Sequence, residues 1–332
     1  MFVLRIFKIH YIIFFLALFL SKAIAEPTLV RSKAVEEITG YFADTLTFNN
    51  DGTKMYTSAF LHTARADRLY EYDLTTAYNI STATLNTSIA VGTYTGSSTH
   101  LHGAMQIVFN NDGTKMFIAD YHKTIIEFTL TTPYDIDTAS TTYNAGQGYD
   151  TNANQKRPTS VAFNNDGTKM FITGNGKTAG EPQSIHEYTL DNAFVITSGV
   201  THVIEVQPDP QPDYVDGIVF NYDGTKMYIT DSVGDEIRQY ELTTAFSIAT
   251  LSLQGTLDTS TYGITGPRET VFSSDGSKMF VVDEADAVFE FNLSCRGSLL
   301  DGYCDPPTAG DEGNDITGSI ESQTATAKQI AI

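Results

Sequence analysis

Beyond residue 26, short runs of apolar and β-branched residues alternate with polar, glycine-containing breaks, and the breaks recur in the same form. Runs such as Ile218-Val219-Phe220 before an Asp-Gly pair, and Met227-Tyr228-Ile229-Thr230 after it, read as the two strands of a hairpin. Gly accepts the positive φ that so tight a turn demands. The pair sits in a phrase that occurs five times: Phe48-Asn-Asn-Asp-Gly-Thr-Lys-Met55, Phe109 to Met116, Phe163 to Met170, Phe220 to Met227 and Phe272-Ser-Ser-Asp-Gly-Ser-Lys-Met279. Its aspartates, Asp51, Asp112, Asp166, Asp223 and Asp275, are spaced by 61, 54, 57 and 52 residues.

A third strand follows each phrase, as in Leu69-Tyr-Glu-Tyr-Asp-Leu74 and Val288-Phe-Glu-Phe-Asn-Leu293. Four of the five then run into a shared connector of the type Thr75-Thr-Ala-Tyr-Asn-Ile80. A less regular strand, such as Ser88 to Tyr94 or Thr250 to Leu257, reads as opening the next unit. Four strands in a unit of this length, repeated, is the arithmetic of an all-β propeller. Five blades are expected, because no unclaimed stretch is long enough for a sixth. Nothing reads as a sustained amphipathic helix before about residue 315.

The ends of the chain read differently. Arg5 and Lys8 precede the apolar run Tyr11 to Leu20, and Ala23-Ile24-Ala25 precedes Glu26. That is the pattern of a secretory signal peptide over residues 1–25, with too short an apolar core for a membrane span. The propeller is expected over 26–304. Residues 305–332 read as an acidic linker followed by the possible start of a helical or truncated C-terminal segment. A secreted, periplasmic or cell-surface location follows. In such a compartment the only two cysteines, Cys295 and Cys304, read as a disulfide, expected to pin the outer strand of the last blade. The formal net charge of −20 repels nucleic acid and anionic membranes, and no segment of the mature chain is apolar enough to span a bilayer.

The phrase Phe-(Asn/Ser)-x-Asp-Gly-(Thr/Ser)-Lys-Met-(Tyr/Phe), followed by Glu-(Tyr/Phe)-x-Leu, resembles the blades of secreted bacterial propellers of the YVTN and lactonase-like group, over roughly residues 30–295. The chain has no tryptophan, which sets it apart from WD repeats and from quinoprotein propellers. The segment Gly318 to Lys328 looks like the start of the connecting segment in some autotransporter-like surface proteins, which would make the propeller a surface passenger or spacer. The lactonase resemblance also implies an alternative activity, metal-dependent hydrolysis.

The Asp-Gly phrases lack the leading carboxylate and the bidentate Glu of a calcium loop, so they read as turns. The methionines Met55, Met116, Met170, Met227 and Met279 share a register and read as packing between blades. No nucleophile elbow, zincin helix or phosphate loop is present.

The Asp-Gly turns and connectors are short and uniform, and strand alternation places both on one face. The remaining loops vary and emerge on the other, which is the face expected to carry function. Aligning the repeats puts Asp44, Met105, Thr159, Asp216 and Arg268 seven residues before the turn aspartates. Eight residues after them come Ala59, Asp120, Gly174, Asp231 and Asp283. Asp44, His102, Asp120, Asp216, Asp231, Arg268 and Asp283 are therefore the expected ligand-binding set. Asp120, Asp231 and Asp283 could hold a divalent cation such as calcium, or could each cap the amides of their own loop. The expected function is non-catalytic binding of a protein, glycan or small ligand on the irregular face.

Overall fold

The computed structural model describes residues 27–35, 42–60, 68–91, 104–121, 123–139, 147–154, 157–175, 182–285, 287–293 and 298–299. The expected signal peptide, His102, both cysteines and the C-terminal segment lie outside them.

Strand β1 (Thr28–Ala34) comes first and is used last. Then follow five runs of strands. The first is β2 (Phe42–Phe48), β3 (Lys54–Phe60), β4 (Arg68–Leu74) and β5 (Ala83–Ala90). The second is β6 (Ala104–Phe109), β7 (Lys115–Asp120), β8 (Thr124–Thr129) and β9 (Gly148–Asp150). The third is β10 (Arg157–Phe163), β11 (Lys169–Asn175), β12 (Ser184–Leu190) and β13 (Val200–Val206). The fourth is β14 (Val215–Phe220), β15 (Lys226–Asp231), β16 (Glu236–Leu242) and β17 (Leu251–Asp258). The last is β18 (Pro267–Phe272), β19 (Lys278–Asp283) and β20 (Ala287–Asn292).

Each run is an antiparallel sheet in chain order, and the last is completed as β18-β19-β20-β1. The leading strands β2, β6, β10, β14 and β18 touch one another in a closed cycle. The molecule is a five-bladed propeller with those strands around its central channel.

One expectation about the outer edge is corrected. The strand after each connector closes its own blade instead of opening the next, because the connector turns the chain back along the third strand: β5 pairs with β4 and β17 with β16. Among the described residues the fifth blade has no such strand. Its outer place is taken by β1, in register from Thr28 opposite Asn292 to Ala34 opposite Ala287. The first strand thus closes the ring on the last blade, covering an edge that would otherwise be unpaired.

The repeated phrase explains itself in packing. Its aspartates accept hydrogen bonds at the turn: Asp51 Oδ1 takes the Thr53 N–H at 3.0 Å and hydroxyl at 2.5 Å, and Asp112 and Asp166 do the same with Thr114 and Thr168. The threonine hydroxyl is the main reason that the Asp51 carboxyl lies below its ordinary pKa. The turn glycine is required twice over. Gly52 has φ of 70°, and a Cβ there would lie 2.3 Å from the ring of Tyr78, the connector aromatic. The five methionines are fully buried. The aromatic after each methionine packs on the anchor Phe of the next blade, as in Tyr56 on Phe109 at 4.7 Å, Phe117 on Phe163 at 4.6 Å and, across the closure, Phe280 on Phe48 at 4.7 Å. Burying each such side chain is worth about 1.5–3 kcal/mol, and a tilted aromatic pair adds about 0.5–1.5 kcal/mol.

The glutamate of the third strand joins neighbouring blades. Glu187 takes Lys169 Nζ on Oε1 at 2.7 Å and, on Oε2, the N–H of Ile248 in the next blade's connector at 3.1 Å. Glu71 holds Ile136, Glu127 holds Ile196 and Glu290 holds Ile80 in the same way. The fourth blade has Gln239 at this position and the fifth has no connector, and the two exceptions meet. Gln239 Oε1 accepts from Leu299 N at 2.7 Å, so the buried Leu299 replaces the missing isoleucine.

Candidate functional site

Every leading strand carries a register shift at the same place. Met105, Thr159, Asp216 and Arg268 are the unpaired residues of the shifts in β6, β10, β14 and β18, and Asp44 with Thr45 occupies the shift in β2. An extra residue in one strand bends it and re-aims the side chain there. The level seen in the aligned sequence is thus a ring of bulges at the end of the channel from which the irregular loops spring.

At that level Arg268 lies within a fan of carboxylates. Its Nη2 is 3.0 Å from Glu284, its Nη1 3.5 Å from Asp216 and its Nε 3.8 Å from Asp44. Burial by itself would lower the guanidinium pKa; Asp216, Asp44 and Glu284 outweigh it and raise it. Asp216 is almost wholly enclosed. Burial drives its pKa from 3.8 up to about 7, against the pull of Arg268 and of the Ser232 hydroxyl. Asp216 Oδ2 and Arg268 Nε are both buried and make no hydrogen bond with a described residue.

The other aspartates occupy the ends of the second strands. Asp231 lies opposite Val215, the residue just before the bulge. Its Oδ1 accepts from the N–H groups of Tyr214 at 2.9 Å and Gly234 at 3.0 Å, and its Oδ2 from Asp213 N at 2.7 Å, with Arg238 Nη2 3.6 Å away. Asp283 Oδ1 accepts from Ala285 N and Ala287 N, each at 3.0 Å. These two carboxylates fasten their own loops. Asp120 is buried at the corresponding end of β7, opposite Ala104, and its carbonyl accepts from Lys123 N at 3.1 Å. Among the described residues no group of three or more His, Cys, Asp or Glu side chains is placed to hold a metal ion.

Asp44, Asp216 and Arg268 of the expected set therefore come together. Glu284 belongs with them and was missed. A signal for it existed: the unit with an arginine at the bulge is also the unit with an acid nine residues after the turn Asp, where the others have Phe60, Tyr121, Asn175 and Ser232.

Among the described residues no helix is long and apolar enough to cross a membrane. No family model matches the chain, and no curated protein matches it. Among solved structures the chain is similar to a putative 6-phosphogluconolactonase from Bacteroides fragilis, with 14% sequence identity, 78% of this chain and 69% of that chain covered, and a TM-score of 0.46.

Proposed function

We propose that this chain is an exported binding propeller that takes a neutral polyhydroxy ligand, such as the exposed hydroxyls of a glycan, at the bulge ring of its irregular face, without catalysis. The observation that carries this reading is the fan around Arg268, in which one guanidinium is shared among Asp44, Asp216 and Glu284 at 3.0 to 3.8 Å. Alternating fixed donors and acceptors suits hydroxyl groups, which give and take hydrogen bonds at once. Arg268 Nε and Asp216 Oδ2 make no hydrogen bond with a described residue, and a ligand hydroxyl could take from the one or give to the other. Three carboxylates around one cation, on a chain of net charge −20, disfavour an anionic ligand. Export, to a secreted, periplasmic or cell-surface location, rests on the leader-like N-terminus. A metal-dependent hydrolase would need free carboxylates converging on one point, whereas Asp231 and Asp283 are engaged by backbone amides.

The test is a screen of the protein on neutral glycans, followed by calorimetry on those retained. Arg268→Gln should weaken binding at least about tenfold, or 1.4 kcal/mol. Retention of no glycan, or unchanged affinity in the variant, would overturn the reading.

A further inference from the structure

The opposite end of the channel holds a cavity of about 250 Å³ that opens among the Asp-Gly turns. Thr47, Val108, Ala162, Val219 and Val271 wall it, one position in each of the five leading strands, and Gln106 and Glu269 also line it. Gln106 and Glu269 lie six residues before their turn aspartates, deeper in the channel than the valine level. Glu269 is 1% exposed, and neither of its carboxyl oxygens makes a hydrogen bond with a described residue.

Gln106 Oε1 accepts from the Ser160 hydroxyl at 2.8 Å and from Val161 N at 2.5 Å, which leaves the Gln106 amide N–H as the side-chain donor available to Glu269. The Gln106 side chain and the Thr270 N–H favour a charged Glu269 without closing a hydrogen bond of good geometry, and burial outweighs them and holds the carboxyl well above its ordinary pKa. The titratable group that bears on it is Asp216, which adds repulsion. Among the described residues no cation is paired with Glu269, although an unpaired buried acid costs several kcal/mol to ionise.

The rim selects the sign of a visitor. The side-chain amides of Asn50, Asn111 and Asn165 each donate to the backbone carbonyl of the next turn, at Asn111, Asn165 and Tyr222, all at 2.5 Å. Those donors are turned along the rim and away from an anion, and the acidic surface draws cations inward.

We propose that this cavity is a second ligand site, distinct from the bulge ring, for a small primary amine: an ammonium seated on Glu269 and a short apolar body against Val108, Ala162, Val219 and Val271. The volume lies just below the roughly 300–1,000 Å³ of pockets for drug-sized ligands, which sets the size class. Binding exchanges one cation for another. The protonated carboxyl loses its proton to solvent and the carboxylate accepts N–H donors from the ammonium, so the charge of the pocket is balanced before and after.

The experiment is calorimetry of the whole protein with 2-phenylethylamine and its neutral counterpart 2-phenylethanol, in two buffers of different ionisation heat, near neutral pH. The amine should bind at least tenfold more tightly than the alcohol and release up to about one proton per molecule bound. Glu269→Gln, which mimics the protonated acid, should bring the amine to the affinity of the alcohol and end the proton release. Ala162→Leu, which fills the cavity and leaves Glu269 in place, should abolish binding of both. Equal affinity for amine and alcohol, no binding of either, or amine binding that survives Glu269→Gln or Ala162→Leu would overturn the proposal. Should Glu269→Gln fail to fold, the Ala162→Leu result decides.

Discussion

A Cβ on Gly217 would stand 2.8 Å from Oε1 of Glu269: the carboxyl of the fifth blade fills space that the fourth leaves by having no side chain. Thr230 Oγ1 and the Arg268 carbonyl close the same space at 3.1 and 3.3 Å. Gly217→Ala should therefore cost about 1–3 kcal/mol as overpacking. In a Glu269→Ala background the cost should shrink, with a coupling of at least about 0.5 kcal/mol. Urea unfolding of the two single variants and the double variant measures it, and strictly additive losses would show that the two residues do not share the space.

Asp216 makes stability depend on pH in a defined direction. Its pKa is raised from 3.8 to about 7 by burial, so between those values the native protein holds a proton that the unfolded chain has released. Stability conferred at low pH is lost as pH rises through that window, by up to about 1.4 kcal/mol per unit, and the loss is complete above about pH 7. Asp216→Asn removes this titration. Denaturation midpoints of the two proteins should diverge between pH 4 and 7 and run parallel above it; curves parallel throughout would mean that Asp216 titrates normally.

The propeller was legible because its cause is local. Gly52 under Tyr78 and Asp51 on Thr53 are contacts within one unit, and five copies of a local solution stand out in a sequence. Contacts between units were not legible. The glutamate of the third strand was visible as a motif, yet its reason is Ile248 N–H acting on Glu187 from 61 residues away. Likewise β1, residues TLVRSKA, carries no repeat phrase, and its place beside β20 follows from closing the ring.

The site divides in the same way. Alignment placed Asp216 and Arg268 on one level correctly, since both are bulge residues of equivalent strands. It could not separate them from Asp231 and Asp283, whose direction is set by nearby amides. Glu269 shares its column with Thr45, Gln106, Ser160 and Gly217, a set with no common chemistry to notice.

Glu187 should be worth more than an ordinary surface ion pair. It is almost wholly buried, and it answers both Lys169 and the Ile248 N–H. Glu187→Ala should cost about 2–4 kcal/mol, because an N–H is orphaned between blades while Lys169, 28% exposed, can still turn to water. Glu187→Gln should cost less, since Gln239 already receives Leu299 N through an amide oxygen in the next blade. Equal penalties for the two substitutions, read by urea denaturation, would assign the stabilisation to charge instead of the bridging hydrogen bond.

Asp231 separates loop fastening from cation binding. Its carboxylate accepts from Asp213, Tyr214 and Gly234 and faces Arg238, so Asp231→Ala strands three N–H donors at once. Hydrogen bonds to a charged group are worth about 1.5–3 kcal/mol each, and loop relaxation toward water recovers part of that, leaving an expected loss of about 3–5 kcal/mol. A ligand that binds only the native state raises the melting temperature with its concentration. Because the amides already occupy the carboxylate, the deficit of Asp231→Ala should be the same in calcium and in chelator. A calcium-dependent rise in the parent protein that disappears in Asp231→Ala would instead make this aspartate a metal ligand, with its amide contacts giving way when the ion binds.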